Sequence, residues 1–477
     1  MKRIIFCFDG TWNRIDSKHP TNVLLMASSI APIDDEGISQ IVHYDNGVGT
    51  NWYDKRIGGA MGVGLLKNIR QAYQFLIFNY NEGDEVYAFG FSRGAFTARS
   101  FVGFIRSAGI IERHYSQHIE KAVDLYKGRE FTDDLKKLDF RAKYSRHISV
   151  SHEDDSYRCE TYPNEYKHGQ AHPFQFRYLG LWDTVETLGI RKVIHPWKPF
   201  GLGKKPYTAP GHRYHNHQLS GMVAAGRHAV ALDEGRRNFD VEPWGNLEKY
   251  NAKFNFPFDH HNPNFQEKFF PGTHGSVGGG GYHTGLSDGA MSWVMAGASE
   301  TGLKFDDDPE ALHYQLAPNF RDPIDNIKKG EAGFFSKILR KTSRPRSHRP
   351  QNLRDVYLSA QYRWAYQGLL PEGKPYRPET LRAPLEEELN ALPSIKDSEL
   401  LERKHVGGMT QKVIMRETAK YYSVKYGETL EDIASRELPT GQGVRDIKAA
   451  NPAKNIQKGN VYIGQVLRIP IEFNPPM

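Results

Sequence analysis

Short, almost purely apolar runs recur along the first 300 residues, separated by longer stretches of mixed polarity. Met1 to Phe8 is the first, stopping abruptly at Asp9, and Ile41-Val42-His43-Tyr44 is the second. Glu85 to Phe91 is β-branched and aromatic, Phe174 to Leu181 repeats that character, and Glu267 to Phe270 is a shorter version. Runs of this length bounded by glycine or acid predict strands buried on both faces. Between them the pattern predicts helices over Leu65 to Tyr80, Ala95 to Val102, Ile119 to Lys127, Gly221 to Leu232 and Gly289 to Ala298. The polar stretch that runs to His172 reads as a surface insertion. His195 to His217, rich in Pro, Gly, Tyr, Trp and His, reads as the wall or lid of a pocket or as an ordinary surface loop. Strands alternating with helices imply an α/β domain with a mostly parallel sheet and cap insertions, over residues 1–310.

The pattern then changes. Lys337, Arg340, Lys341, Arg344, Arg346 and Arg349 follow Gly333-Phe334-Phe335 without an acid among them. This is either a basic segment for an anionic membrane surface or a solvated linker, and Pro345 and Pro350 favour the linker. Tyr357, Tyr362, Trp364, Tyr366 and Leu369 predict a helix packing back on the main domain, completing a 311–372 segment. Residues 373–418 read as a charged, proline-containing connector. From 419 to 473 the order is strand, Thr-capped helix, second helix ending at Asn451-Pro452, and a returning strand from Val461 to Pro470, which is a small α+β module.

Composition narrows the class. The 477 residues are 39% hydrophobic and 25% charged, as in globular proteins, and no apolar stretch approaches the roughly 20 residues that span a bilayer. A net charge of +7 over this length gives no reason to expect nucleic acid. Two cysteines, Cys7 and Cys159, are too few for a disulfide framework. The N-terminus lacks a cleavage region, so the expectation is synthesis in the cytoplasm without a signal peptide.

The candidate chemistry lies where the strands end. Gly90-Phe91-Ser92-Arg93-Gly94 has the spacing of a nucleophile elbow, in which a serine is thrust out of the sheet between two small neighbours. Ser92 is the candidate nucleophile, and the Arg93 N–H a candidate oxyanion donor. Asp9-Gly10-Thr11 after the first strand has two readings: Gly10 and Thr11 amides as further oxyanion donors, or Asp9 as the nucleophile or metal ligand of a phosphatase. Trp182-Asp183-Thr184 places Asp183 at a strand end, as the acid that orients a histidine or as a cap. His274, at the end of the Glu267 strand in a flexible glycine loop, is the candidate base; His260, His261 and His283 lie nearby. Asp288 reads as a helix cap or a support to the site, and Asp233 to Phe239 as an internal ion-pair network. The glycines from Gly58 to Gly64 lack the Gly-Lys-Ser/Thr ending of a phosphate loop.

Taken together, Phe8 to Asn13, Gly90 to Gly94, Gly180 to Val185, Ala229 to Glu234 and the His274 glycine loop resemble one family. It is the bacterial α/β-hydrolase family that includes type VI secretion phospholipase effectors of the first Tle class. The resemblance covers roughly residues 1 to 310. It implies a serine lipase or esterase with Ser92 as nucleophile, Asp183 as acid and His274 as base, needing no cofactor. It departs from the pattern at Gly275-Ser276, where the family carries Ser-Asp. The C-terminal module resembles a LysM module, which implies binding to N-acetylglucosamine-containing glycan such as peptidoglycan, or docking to a secretion spike protein. An immunity protein and delivery to the periplasm of a target cell are further implications. The reading from another class is a glycan-binding or secretion adaptor with no catalysis.

Overall fold

All six residues of Arg3–Phe8 (β1) are buried. Ile4, Phe6 and Phe8 enter one core while Ile5 and Cys7 enter another. Side chains alternate across a sheet, so a run with no exposed member requires cover on both faces. The computed structural model supplies that cover. It describes residues 1–10, 17–47, 60–127, 134–185, 219, 221–236, 239–245, 247–254, 263–306, 308, 311–326 and 345–395, and in the tail 401–402, 415–416, 419–423, 429–438, 443–450 and 466–470.

After β1 come α1 (Asn22–Ser29), β2 (Gln40–Asp45), α2 (Ala60–Asn79), β3 (Glu85–Phe91) and α3 (Arg93–Ala108). The insertion holds α4 (Ile119–Lys127), α5 (Asp134–Tyr144), β4 (Ile148–Ser149), α6 (His152–Thr161) and β5 (His172–Pro173). β6 (Phe176–Trp182), β7 (Gly226–Ala231), α7 (Leu247–Phe254), β8 (Phe265–Phe270), α8 (His274–Gly278) and α9 (Gly285–Glu300) complete the domain.

Six strands form one sheet in the order β2-β1-β3-β6-β7-β8, and every neighbouring pair is parallel. Ile69, Tyr73, Phe101 and Val123, from α2, α3 and α4, cover one face. Val23 and Met26 of α1 and Met291 and Val294 of α9 cover the other. Burying an aromatic such as Phe101, which is fully enclosed, contributes roughly 2–3 kcal/mol. The chain leaves β1 toward β2 on one side and returns to β3 on the other. The turns after β1 and β3 therefore open a crevice between them, where α/β sheets of this kind hold ligands.

Two sequence expectations are corrected. Gly221 to Leu232 is not a helix: Gly226–Ala231 is a fully buried strand between β6 and β8. Periodicity cannot separate a short apolar strand from a buried helical turn. Within the expected connector, Glu379–Asn390 is a helix. Its Leu381, Leu385 and Leu389 recur at the four-residue spacing of one helix face and join Trp364, Tyr376 and Phe269 in a separate core. A proline and a run of glutamates hide that stripe in the sequence. The predicted aromatic helix is present as Leu358–Ala365 and packs in the same core.

In the tail, Ala419–Ser423 pairs antiparallel with Val466–Pro470. Helices Leu430–Glu437 and Val444–Ala450 intervene, the first opened by a reciprocal Thr429–Asp432 capping box. The His195 to His217 stretch and the basic positions Lys337 to Arg344 lie outside the described residues.

Candidate active site

Ser92 stands between β3 and α3 with φ 59° and ψ −122°, a conformation that a non-glycine residue adopts only under constraint. Its neighbours provide the constraint. A Cβ on Gly94 would lie 2.0 Å from the Phe8 carbonyl oxygen, and one on Gly90 would lie 2.6 Å from the Ala95 Cα. Only glycine lets β1, β3 and α3 converge this closely. The Ser92 amide donates to the Trp182 carbonyl at 3.0 Å, tying the elbow to the end of β6.

Next to Trp182, Asp183 has φ 42° and is fully buried. Its Oδ2 lies 2.5 Å from His274 Nδ1, and His274 Nε2 lies 2.7 Å from Ser92 Oγ. A carboxylate accepts, so Nδ1 carries the proton, Nε2 is the acceptor, and the Ser92 hydroxyl donates. Burial alone would raise the Asp183 carboxyl, but Arg346 and His274 overcome it and hold the group below the usual carboxylate range.

The structure thus brings Ser92, Asp183 and His274 together. It places the base at the start of α8, where the sequence reading expects a flexible loop. The turn is braced by two acids from the end of β7. Glu234 Oε2 accepts the His274 amide at 3.2 Å, and Asp233 Oδ2 accepts the Gly272 amide at 2.7 Å. This is the structural role expected for that charged run. Phe91 and Phe239 flank the imidazole, with ring centroids 4.6 and 4.9 Å away.

His283 is elsewhere, beside Tyr282 with its amide toward the Asn326 carbonyl. His260 and His261 lie outside the described residues. Asp288 sits in the first turn of α9, where its Oδ2 accepts from the Thr284 hydroxyl at 3.1 Å and the Ala317 amide at 2.9 Å. It therefore secures a helix end away from the Ser92 line. Ser276, at the position where the family pattern has an acid, donates instead to the Ile324 carbonyl at 2.6 Å.

The turn after β1 departs from expectation. The Gly10 N–H, expected to face a reacting carbonyl, donates to Asp9 Oδ1 at 2.6 Å. Thr11 lies outside the described residues. Asp9 Oδ2 accepts from Thr21 Oγ1 at 2.6 Å and from the Tyr44 hydroxyl at 2.8 Å, so its buried carboxylate ties three segments together. The Arg93 amide stays at the N-terminal end of α3, directly after the serine.

Sequence reasoning missed Arg346. It lies in the basic stretch read as linker, yet it is 2% exposed. Its Nη1 donates to Asp183 Oδ1 at 2.5 Å and its Nη2 to Oδ2 at 2.8 Å. It also missed the buried line beside it, in which Glu267 joins His228 Nδ1 at 2.8 Å and His348 Nε2 at 2.7 Å. The Thr184 amide donates to His228 Nε2 at 3.1 Å, which secures the residue after Asp183. Nothing in the local sequence distinguishes Arg346 from its basic neighbours.

Residues 2–297 match the catalytic domain of the family described as type VI secretion system phospholipase effector, Tle1-like. The chain belongs to this Tle1-like family. Residues 422–470 match the LysM domain. The Tle1-like match contains Ser92, Asp183 and His274 and stops short of Arg346. The chain is also similar to the uncharacterized protein YEL023C of Saccharomyces cerevisiae, 26% identical over 254 residues. That similarity takes in 50% of this chain and only 32% of the yeast protein. Among solved structures, an uncharacterized protein from Pseudomonas aeruginosa is similar at 15% identity and a TM-score of 0.32, over 64% of this chain and 46% of that one. The Tle1 effector bound to the VgrG spike of the type VI secretion system is similar at 17% identity and a TM-score of 0.30, over 58% of this chain and 51% of that one.

Proposed function

We propose that this Tle1-like protein is a serine hydrolase that cleaves carboxylic esters of phospholipids, in the manner of a phospholipase A. The observation that carries the reading is the unbroken line from Ser92 Oγ through both nitrogens of His274 to Asp183. A serine hydroxyl is a weak nucleophile, and a neutral imidazole accepting its proton is the remedy this line provides. Ser92 Oγ attacks the ester carbonyl carbon while its proton passes to His274 Nε2. Asp183 holds the imidazole in the required tautomer and stabilises the imidazolium.

The Arg93 amide, at the first position of α3, supports the developing oxyanion. The imidazolium then protonates the departing alkoxide. Water activated by His274 releases the acyl group and restores Ser92. The LysM domain is the attachment module, holding the enzyme on peptidoglycan glycan or on the secretion spike. The whole chain acts as an antibacterial effector, delivered to the periplasm of a target cell and restrained in its producer by an immunity protein.

The test is labelling of the full chain by a fluorophosphonate probe, together with fatty-acid release from phosphatidylglycerol and phosphatidylethanolamine vesicles. Ser92→Ala is expected to remove labelling and to lower hydrolysis by about 10⁴-fold or more, with an unchanged circular dichroism spectrum. Wild-type chain that hydrolyses the vesicles without being labelled, or a Ser92→Ala loss of only a few-fold, refutes the mechanism.

A further inference from the structure

The carboxylate of Asp183 has each of its accepting directions filled. Oδ1 takes the Ala231 amide at 2.9 Å and Arg346 Nη1 at 2.5 Å; Oδ2 takes His274 Nδ1 at 2.5 Å and Arg346 Nη2 at 2.8 Å. Arg346 is fixed in turn, with Nη1 also on the Ala231 carbonyl at 3.1 Å and Nη2 on the Phe239 carbonyl at 2.6 Å. Two residues on, His348 reaches Glu267, whose partner His228 holds the Thr184 amide. The strand end that bears Asp183 is thus clasped from both sides by a segment beyond residue 297, where the family match ends.

We propose that Arg346 is a positioning residue for the reaction of Ser92: its planar fork fixes the Asp183 carboxylate against His274, and its charge offsets the anion that faces the imidazole. The inference rests on the serine-hydrolase reading above. A bidentate guanidinium defines both the plane and the distance of a carboxylate, which a lysine ammonium cannot do. The Asp183 backbone lies in the left-handed region, and its carboxylate is held in place by contacts from three other parts of the chain.

His274 sits among paired charges. Two anions face it, Asp183 at Nδ1 and Glu234 at its amide. Each is matched by an arginine, Arg346 on Asp183 and Arg236 on Glu234, with Asp240 adding its field to Arg346. A cation on the far side of Asp183 opposes the pull of that carboxylate on a proton at the imidazole. Removing that cation leaves a buried anion beside the imidazole and favours its protonated form.

The test compares wild type, Arg346→Met, Arg346→Lys and Ser92→Ala as full chains, on a short-chain p-nitrophenyl ester from pH 5 to 9. Arg346→Met is expected to lower kcat about tenfold with KM within about twofold, and to move the acid limb of kcat/KM up by about one pH unit. Arg346→Lys keeps the charge and loses the fork, so its acid limb stays within about 0.3 unit of wild type while kcat falls several-fold. An acid limb and kcat unchanged in Arg346→Met, with only a lower melting temperature, would overturn the inference. Should Arg346→Met fail to fold, Arg346→Lys decides: wild-type kcat overturns the proposal, and a lower kcat with an unmoved limb supports it. Loss of fluorophosphonate labelling in Ser92→Ala separates the two readings. If that loss is absent the serine mechanism falls; if it is present while the Arg346 variants behave as wild type, only the present inference falls.

Discussion

Ser92 takes its shape from the five residues Gly90 to Gly94, whereas Asp183 is held by Ala231, His274 and Arg346, which lie 48, 91 and 163 positions away in the chain. The serine side is a local device: a tight turn whose two glycines admit the neighbouring strand and the following helix. The acid side is assembled from the ends of β6 and β7 and from a segment that follows the whole sheet. The difference predicts unequal tolerance. A change at the elbow meets backbone that cannot move, while a change around Asp183 removes one of several partners.

The largest effect is expected at the elbow itself. Gly94→Ala puts a methyl group where the Phe8 carbonyl oxygen is only 2.0 Å away. It should destabilise the fold by about 3 kcal/mol or more, measured by chemical denaturation. A loss under about 1 kcal/mol would mean that the elbow yields and is as tolerant as the surroundings of Asp183.

On the distributed side the expected effect is smaller and depends on pH. Asp233, which braces the His274 turn through Gly272 and takes the Tyr376 hydroxyl on the same Oδ2, is pushed up by burial to about 6. A carboxyl raised in the folded state binds its proton more tightly there than in the unfolded chain. Its contribution is therefore complete below about pH 4 and is lost as pH rises through about 6. Asp233→Asn keeps an acceptor for both donors and does not ionise. Relative to wild type it should gain about 2 kcal/mol between pH 4 and pH 7, measured by denaturant titration at both values. A constant difference would mean that the Asp233 carboxyl binds its proton equally well in the folded and unfolded chain.

The smallest effect tests where the distributed side ends. A chain that stops at Leu400 keeps Arg346, His348 and the helices Leu358–Ala365 and Glu379–Asn390 and omits the LysM domain. Its kcat/KM on a soluble ester should remain within about twofold of the full chain, because tethering changes concentration at a target and leaves the chemical barrier alone. Binding to peptidoglycan sacculi should be lost. A folded chain of this length with tenfold lower turnover would place part of the site in the tail.

Most of what could be read from the sequence lies on the serine side. The elbow, the strands β1, β3, β6 and β8, and the order Ser92, Asp183, His274 all rest on short-range patterns, and the structure places those residues in one line. The C-terminal β-α-α-β module was legible for the same reason, since its caps and turns are local. What failed was of longer range. β7 read as a helix because a strand of six residues is too short to show a distinctive period. Glu379–Asn390 read as connector because its stripe of leucines gains meaning only against Trp364 and Phe269.

The sequence by itself determined the elements whose causes are adjacent residues: the glycines that permit Ser92, the acids that end strands, and the caps that start helices. Tertiary structure alone decided which basic residue of a charged stretch turns inward. Arg349 and Arg346 are the same side chain three positions apart, yet only Arg346 meets a buried carboxylate. A guanidinium is stable out of water only where an anion and carbonyl oxygens already converge. That convergence is a property of strand ends brought together by the sheet, and no window of neighbouring residues contains it.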